Sequence, residues 1–223
     1  MKVSHRMTTN PITATPKTSY REAMHLMQGN HVNHLPIVTD KGRLVGLVTQ
    51  EDMLSASPSP VTSLSVFEIY SLLDKIKMEQ IMSKPVLAVK ADCSLPAAAR
   101  FMVDNDVGCL PVMEGDKLIG IITDTDIFKA FIEVMGGGQP GSRIEVELPD
   151  KKGQLAATLS AMAAAGSSIV SVTVFEDRPG YAIVDIKERG GDEKKLREEL
   201  EKLGTAEIIE FRPDEEYELL SFK

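Results

Sequence analysis

The chain has no Trp, aromatics make up only 5% of it, and it carries just two cysteines, Cys93 and Cys109. Two cysteines without metal-ligand spacing give neither a disulfide framework nor a thiolate cluster, so reduced thiols at a core or cleft edge are expected. No stretch reaches 18 consecutive apolar residues, which excludes a readable transmembrane helix. The first residues, Met1-Lys2-Val3-Ser4-His5-Arg6, lack the apolar core of a signal peptide, and a cytoplasmic protein is expected. Surplus positive charge is also missing. Lys plus Arg is 25 and Asp plus Glu is 33, a formal net charge of −8. Phosphate-backbone binding needs surplus cations, so nucleic acid is not the expected partner. The deficit is uneven: residues 1–135 hold 13 basic and 15 acidic residues, leaving 12 and 18 for 136–223. An anionic ligand fits the first part better. At 43% hydrophobic and 26% charged, the balance is that of a globular protein.

What is present is a repeat. Asn30-His31-Val32-Asn33-His34-Leu35-Pro36-Ile37-Val38 precedes Gly46-Leu47-Val48-Thr49-Gln50-Glu51-Asp52. Asn105-Asp106-Val107-Gly108-Cys109-Leu110-Pro111-Val112-Met113 precedes Gly120-Ile121-Ile122-Thr123-Asp124-Thr125-Asp126. The offset is 111 − 36 = 75 at the prolines and 123 − 49 = 74 at the threonines. Two copies of one unit pack as a pseudo-symmetric pair rather than an open array.

Each copy reads as strand, helix, strand, strand, helix. Ser19 with Glu22 forms a capping box that opens a helix bearing Ala23, Leu26 and Met27, with Gly29 as its expected C-cap. Asp40-Lys41-Gly42 and Glu114-Gly115-Asp116 are turns between short β-rich runs. Copy two repeats the helix over 97–103 and the strand over 118–122, and Asp124–Met135 reads as a longer last helix. Between the copies lies a breaker cluster, Ser55-Ala56-Ser57-Pro58-Ser59-Pro60, then a second capping box, Ser65 with Glu68. The apolar helix it opens, 66–76, should dock on the repeat body or on a second subunit. Gly136-Gly137-Gly138-Gln139-Pro140-Gly141 reads as a hinge, since no strand precedes it and no Gly-Lys-Ser/Thr follows. Beyond it the order is strand, helix, two strands joined at Asp177–Gly180, helix ending at Gly204, and strand over 206–212. That βαββαβ order is a ferredoxin-like sandwich, and the fold class is α+β.

Thr49-x-x-Asp52 and Thr123-x-x-Asp126 each follow a Gly-led apolar strand. A helix N-cap accounts for one such pair. Identical placement in two copies also suits a ligand: the hydroxyl meets a polar group, and the carboxylate accepts from vicinal ribose hydroxyls. His5, His25, His31 and His34 form no convincing metal box, and no nucleophile–base pair is readable.

The pattern Leu-Pro then Gly-x-x-Thr-x-x-Asp, twice at this spacing, resembles a pair of CBS domains over roughly residues 1–134. Glu147-Leu148-Pro149-Asp150-x-x-Gly153-x-Leu155 resembles an ACT domain, a regulatory amino-acid-binding fold. The whole order is similar to the acetoin utilisation (AcuB) family. These resemblances imply CBS repeat 1 over 1–54, a linker with its helix over 55–77, CBS repeat 2 over 78–135, the hinge at 136–141, an ACT-like domain over 142–213 and an acidic tail over 214–223. They imply a non-enzymatic regulator binding AMP, ATP or S-adenosylmethionine, with no cofactor and no catalytic residue. In one implied cleft Asp126 holds the ribose, Thr123 and Thr125 lie near phosphate, Thr13 and Ile121 flank the adenine, and Asn33 and Gly108 line the approach. In the other, Thr49 and Asp52 take the first roles, Leu87 lies beside the base and His34 near phosphate. Glu51 replaces Thr125 there and repels phosphate, so a phosphorylated nucleotide is expected in the Thr123/Asp126 cleft. Asp150, Gly153 and Leu155 are the implied effector residues of the ACT-like domain, although Ser167 and Ser168 stand where many amino-acid-binding relatives carry Asn. A homodimer is expected, with the regulated target unnamed. A structural dimerisation module, or a regulatory subunit of an enzyme with empty clefts, remains the alternative.

Overall fold

The computed structural model describes residues 1–57 and 65–213; the later part of the breaker cluster and the acidic tail lie outside the described residues. The chain divides into two units, Met1–Phe128 and Lys129–Lys223. The fold class is α+β.

In the first unit, β1 (Thr8–Thr9) is followed by α1 (Tyr20–Asn30), β2 (His34–Val38), β3 (Leu44–Thr49) and α2 (Gln50–Ser55). Then come α3 (Val66–Leu73), α4 (Met78–Ile81), β4 (Val89–Lys90), α5 (Leu95–Asn105), β5 (Cys109–Glu114), β6 (Lys117–Thr123) and α6 (Asp124–Val134), which ends within the second unit. The Ser19–Glu22 box opens α1: Glu22 Oε2 accepts from the Ser19 amide and hydroxyl, both at 2.7 Å. Gly29 does not cap this helix. The chain leaves it two residues later at His31, in the left-handed region at φ 53°. Asp106 does the same after α5, also at φ 53°. Asn30 and Asn105 explain the shared exit, since each side-chain amide donates to a carbonyl four residues back, at 2.8 Å. The freed carbonyl is satisfied without a glycine.

The two copies exchange their leading segments. β1 pairs with β6 of the second copy, Thr8 opposite Ile121. Ser83, which leads the second copy, pairs with Leu47 of the first. The next residues return home: Ala14 runs parallel to Ile37, and Val89 runs parallel to Val112. This exchange explains the Gly of the Gly-led strands. A Cβ on Gly46 would collide with Met82, and one on Gly120 would stand 2.8 Å from Met7 Sδ and 2.9 Å from the Thr8 carbonyl oxygen. Behind the sheets, Leu35, Ile37, Val48, Met53 and Met78 form one buried core. Leu110, Val112, Ile122 and Val3 are equally excluded from water in the second copy. Each large aliphatic side chain so buried stabilises the unit by roughly 1.5–3 kcal/mol before entropy is counted.

The inserted helix α3 begins at its expected capping box, with Glu68 Oε2 accepting from the Ser65 amide at 2.8 Å. It ends at Leu73, three residues short of the expected 76, and this end and the turn after it dock on the first copy. Leu73 and Ile76 pack on that core, the Tyr20 amide donates to the Ile76 carbonyl, and Arg21 pairs with Asp74 at 2.8 Å. Phe67 is 87% exposed, so the N-terminal end finds no cover in this chain among the described residues.

The second unit contains β7 (Ser142–Pro149), α7 (Gln154–Ala164), β8 (Ser168–Arg178), β9 (Tyr181–Arg189), α8 (Glu193–Leu203) and β10 (Glu207–Arg212). Its antiparallel sheet has the order β10-β7-β9-β8. Ile144, Val146, Val184 and Ile186 alternate toward Met162, Leu196 and Leu200 of the two helices. The β8–β9 turn is tighter than expected: Arg178 still pairs with Tyr181, leaving Pro179-Gly180 as a two-residue loop, with Gly180 at φ 82°. The opposite sheet face is charged, and Arg143 meets Asp185 there at 2.7 Å. The glycine run at 136–141 is fastened to this unit. Met135 O accepts from Arg143 Nη2 and Ser171 Oγ, and Lys187 Nζ donates to Gly141 O at 2.6 Å. Gly141, at φ 135°, has no room for a Cβ against the Glu188 carbonyl. Within the run read as a hinge, Gly136, Gly138 and Gly141 stand at positive φ, and Gly136 and Gly141 also approach their neighbours closely.

Candidate ligand cleft

The exchange of leading segments brings parts of both copies around one cavity of about 920 Å³ in the first unit. From copy one come Asn33 and His34 at the start of β2, Thr49 at the end of β3, and Glu51 and Asp52 on α2. The second copy supplies Ser83, Pro85, Val86 and Leu87 from its leading segment, and Asp106, Gly108 and Cys109 from the end of α5 onward. Six of the residues expected at a cleft therefore share this cavity: Thr49, Asp52, Leu87, His34, Asn33 and Gly108.

Thr123, Thr125, Asp126, Thr13 and Ile121 do not line it. Thr123 and Asp126 sit at the pseudo-symmetric position, where β6 meets α6, and Ile121 is buried in β6 opposite Thr8. Thr13 lies on the leading segment between Thr9 and Ala14. Asn33 and Gly108, expected on the approach to the Thr123 side, hold the helix starts instead: the Asn33 carbonyl accepts from Gln50 N at 2.9 Å, and the Gly108 carbonyl from Asp124 N at 3.0 Å. Both residues line the Thr49 cavity. The large cavity opens on the Glu51 side, not the side the charge argument favours for phosphate.

Both Thr-x-x-Asp pairs are capping boxes. Asp52 Oδ2 accepts from the Thr49 amide and hydroxyl, each at 2.8 Å. Asp126 Oδ2 accepts from the Thr123 amide at 2.9 Å and hydroxyl at 2.8 Å. One oxygen of each carboxylate is used for the fold; Oδ1 remains without a partner among the described residues and can accept from a ligand hydroxyl. The N-cap and ligand readings are compatible, because they use different atoms. Thr125 is less free than expected, since its amide and hydroxyl both donate to Asp124 Oδ1.

His34 Nε2 and Asp124 Oδ2 both flank Gly108, which has no side chain to separate them. Burial pushes the His34 imidazole below its ordinary value of 6.5, and the Asp124 carboxylate opposes that shift. Burial also pushes the Cys109 thiol up to about 12, with Asp124 adding to the rise. That thiol stays protonated and is a poor nucleophile. Sequence reasoning missed Ser83, Pro85 and Asp106. The repeat offset carried the signal: 83 − 75 = 8, 85 − 74 = 11 and 106 − 75 = 31 map the first two onto the leading segment and the third onto the helix exit of the first copy.

In the second unit Asp150 and Gly153 lie on the exposed turn between β7 and α7, with Gly153 at φ 90°. The turn uses its own amides. Asp150 N donates to Gly180 O, Lys151 N to Pro149 O and Gln154 N to Lys151 O. Leu155 packs on the core rather than facing this turn.

Comparison with known proteins agrees with this architecture. The CBS domain family matches residues 3–59 and 78–133, and the ACT domain family matches 142–205. An uncharacterised protein of Methanocaldococcus jannaschii is 35% identical over 152 residues, which are 66% of this chain and 35% of that protein. The chain thus spans about a third of that relative's length. A Vibrio cholerae protein assigned to acetoin utilization (AcuB) is 32% identical, with a TM-score of 0.51 over 61% of this chain and 93% of that one. The CBS domain pair of protein MJ0100, solved with 5′-methylthioadenosine and S-adenosyl-L-methionine, is 28% identical, with a TM-score of 0.50 over 59% of this chain and 95% of that one. Duplicated Gly-led strands, exchanged leading segments and a βαββαβ second unit thus have one common explanation: the chain belongs to the CBS-domain family, and its CBS pair is followed by an ACT domain.

Proposed function

We propose that this protein is a non-catalytic regulator whose CBS pair senses an adenosine-containing small molecule. The observation that carries the reading is the cavity at Thr49 and Asp52, built from both copies. Leu47, Val86 and Leu87 offer apolar surface for a base, and Asp52 Oδ1 offers an acceptor for ribose hydroxyls. A ligand touching both copies binds one mutual arrangement better than others, which is the requirement for a signal. The adenosyl ligands named for the MJ0100 pair support this choice of class, and AMP, ATP and S-adenosylmethionine are the candidates. Similarity to the Vibrio cholerae protein supports a link to acetoin or related carbon metabolism. The ACT domain serves self-association into a homodimer, and the free Cys93 and Cys109 suit a reducing cytoplasm.

Native mass spectrometry of freshly purified protein, followed by calorimetry with each adenosyl compound, tests the proposal. A co-purified or titratable adenosyl ligand near one equivalent per cleft is expected. No binding by any of them would leave a structural dimerisation module.

A further inference from the structure

The Thr49 cavity is acidic. Its lining includes three acidic residues, Glu51, Asp52 and Asp106, and no Lys or Arg among the described residues. Glu51 and Asp106 have no ion-pair partner among the described residues, and both are exposed. The one base in the lining, His34, is held toward its neutral form by burial. The pseudo-symmetric position makes the comparison within the same molecule: Glu51 stands where the second copy has Thr125, 125 − 51 = 74. α2 is only six residues long, too short for its dipole to offset these charges at an entering phosphate.

Resting on the adenosyl reading above, we infer that this cavity selects its ligand by charge, accepting a cationic adenosyl sulfonium in preference to a neutral adenosyl thioether and rejecting adenosine phosphates, with Glu51 as the specificity-determining residue. S-adenosylmethionine carries one net positive charge, from its sulfonium and ammonium groups against one carboxylate. 5′-Methylthioadenosine is neutral, and AMP is a dianion near neutral pH. The three share the adenosine contacts to Leu87 and Asp52, so their differences report the group at the 5′ carbon. A unit charge facing another across a partly solvated cleft shifts affinity by about tenfold.

Titration calorimetry of the full chain with these three compounds, without added divalent metal, tests the inference. S-adenosylmethionine should bind about tenfold more tightly than methylthioadenosine and still more tightly than AMP, with the gaps shrinking as salt is raised. Glu51→Gln should raise AMP affinity relative to methylthioadenosine by about tenfold. Asp106→Asn, which suits a left-handed helix exit, should move the same ratio in the same direction. AMP binding the native protein as tightly as S-adenosylmethionine, or an AMP-to-thioether ratio unmoved by both substitutions, overturns charge selection while leaving the adenosyl site standing. Failure of all three compounds to bind overturns the adenosyl reading itself, and this inference with it.

Discussion

Leu47 and Ser83 exchange both of their backbone hydrogen bonds: Ser83 N donates to Leu47 O at 2.8 Å, and Leu47 N donates to Ser83 O at 3.4 Å. Ser83 belongs to the second copy and Leu47 to the first. The mirrored pair is Thr8 with Ile121, offset by 83 − 8 = 75 and 121 − 47 = 74. Each hairpin therefore has an edge closed by the other copy, which leaves fewer open strand edges than two separate units would have.

The exchange leaves no room for a side chain at either glycine. Alanine at Gly120 meets the Thr8 carbonyl, which is backbone and cannot swing away, as well as Met7. At Gly46 rotation can move the Met82 Sδ and Cγ, but the Met82 Cβ, 2.9 Å from the added carbon, is fixed by its backbone. Gly120→Ala and Gly46→Ala should each cost about 2 kcal/mol. Thermal denaturation of the two variants checks this. A loss near zero in either would mean that the leading segment gives way there.

At Asp52 two roles can be separated. Asp52→Ala removes the cap and the ribose acceptor together. It should cost about 1 kcal/mol of stability and weaken an adenosyl ligand by about 1.5–3 kcal/mol. Asp126→Ala should show the same stability cost with a smaller loss of affinity, because the large cavity lies at Asp52. Melting curves and calorimetry on both variants decide. A larger affinity loss at Asp126 would place the ligand on the other side.

Acid should weaken the first unit through His34. Its folded value lies below the ordinary 6.5, so between the two values the unfolded chain binds more protons than the folded one. The stability contribution is therefore complete above pH 6.5 and is lost as pH falls below it, until the folded value is passed. His34→Gln should flatten the drop in melting temperature between pH 7.5 and pH 5.5. Asp124, which opposes the shift, should enlarge the drop when changed to Asn. An unaltered pH profile in His34→Gln would assign the acid sensitivity elsewhere.

The architecture was readable wherever the sequence repeats a chemical device. The duplicated Leu-Pro strands, the capping boxes at Ser19, Ser65, Thr49 and Thr123, and the βαββαβ order all rest on local periodicity or on residue types with one dominant use. The strand exchange was not readable. β1 is two residues long, and its pairing depends on a partner more than a hundred positions away. Gly29 misled because glycine is the usual helix exit, whereas the Asn30 side chain satisfies a carbonyl and lets His31 turn left-handed. The glycine run at 136–141 reads as a hinge in the sequence, which does not show the close approaches of Gly136 and Gly141, because close approach and freedom leave the same residue. At the cleft, the residue types were legible but the open volume was not. Cavity shape depends on how Ser83–Leu87 crosses the first copy, and no residue in that segment announces its path.

A further consequence lies in the exchange of leading segments. A lone ancestral unit could have closed the same structure only by pairing with its own duplicate. In such a pair every substitution strikes both binding places at once. Joining the two into a single polypeptide releases that constraint, so a carboxylate can stand at position 51 while its counterpart at 125 keeps a hydroxyl. The molecule can then house two different tenants, or reserve one place and leave the other vacant, within a scaffold whose halves still brace each other as twins.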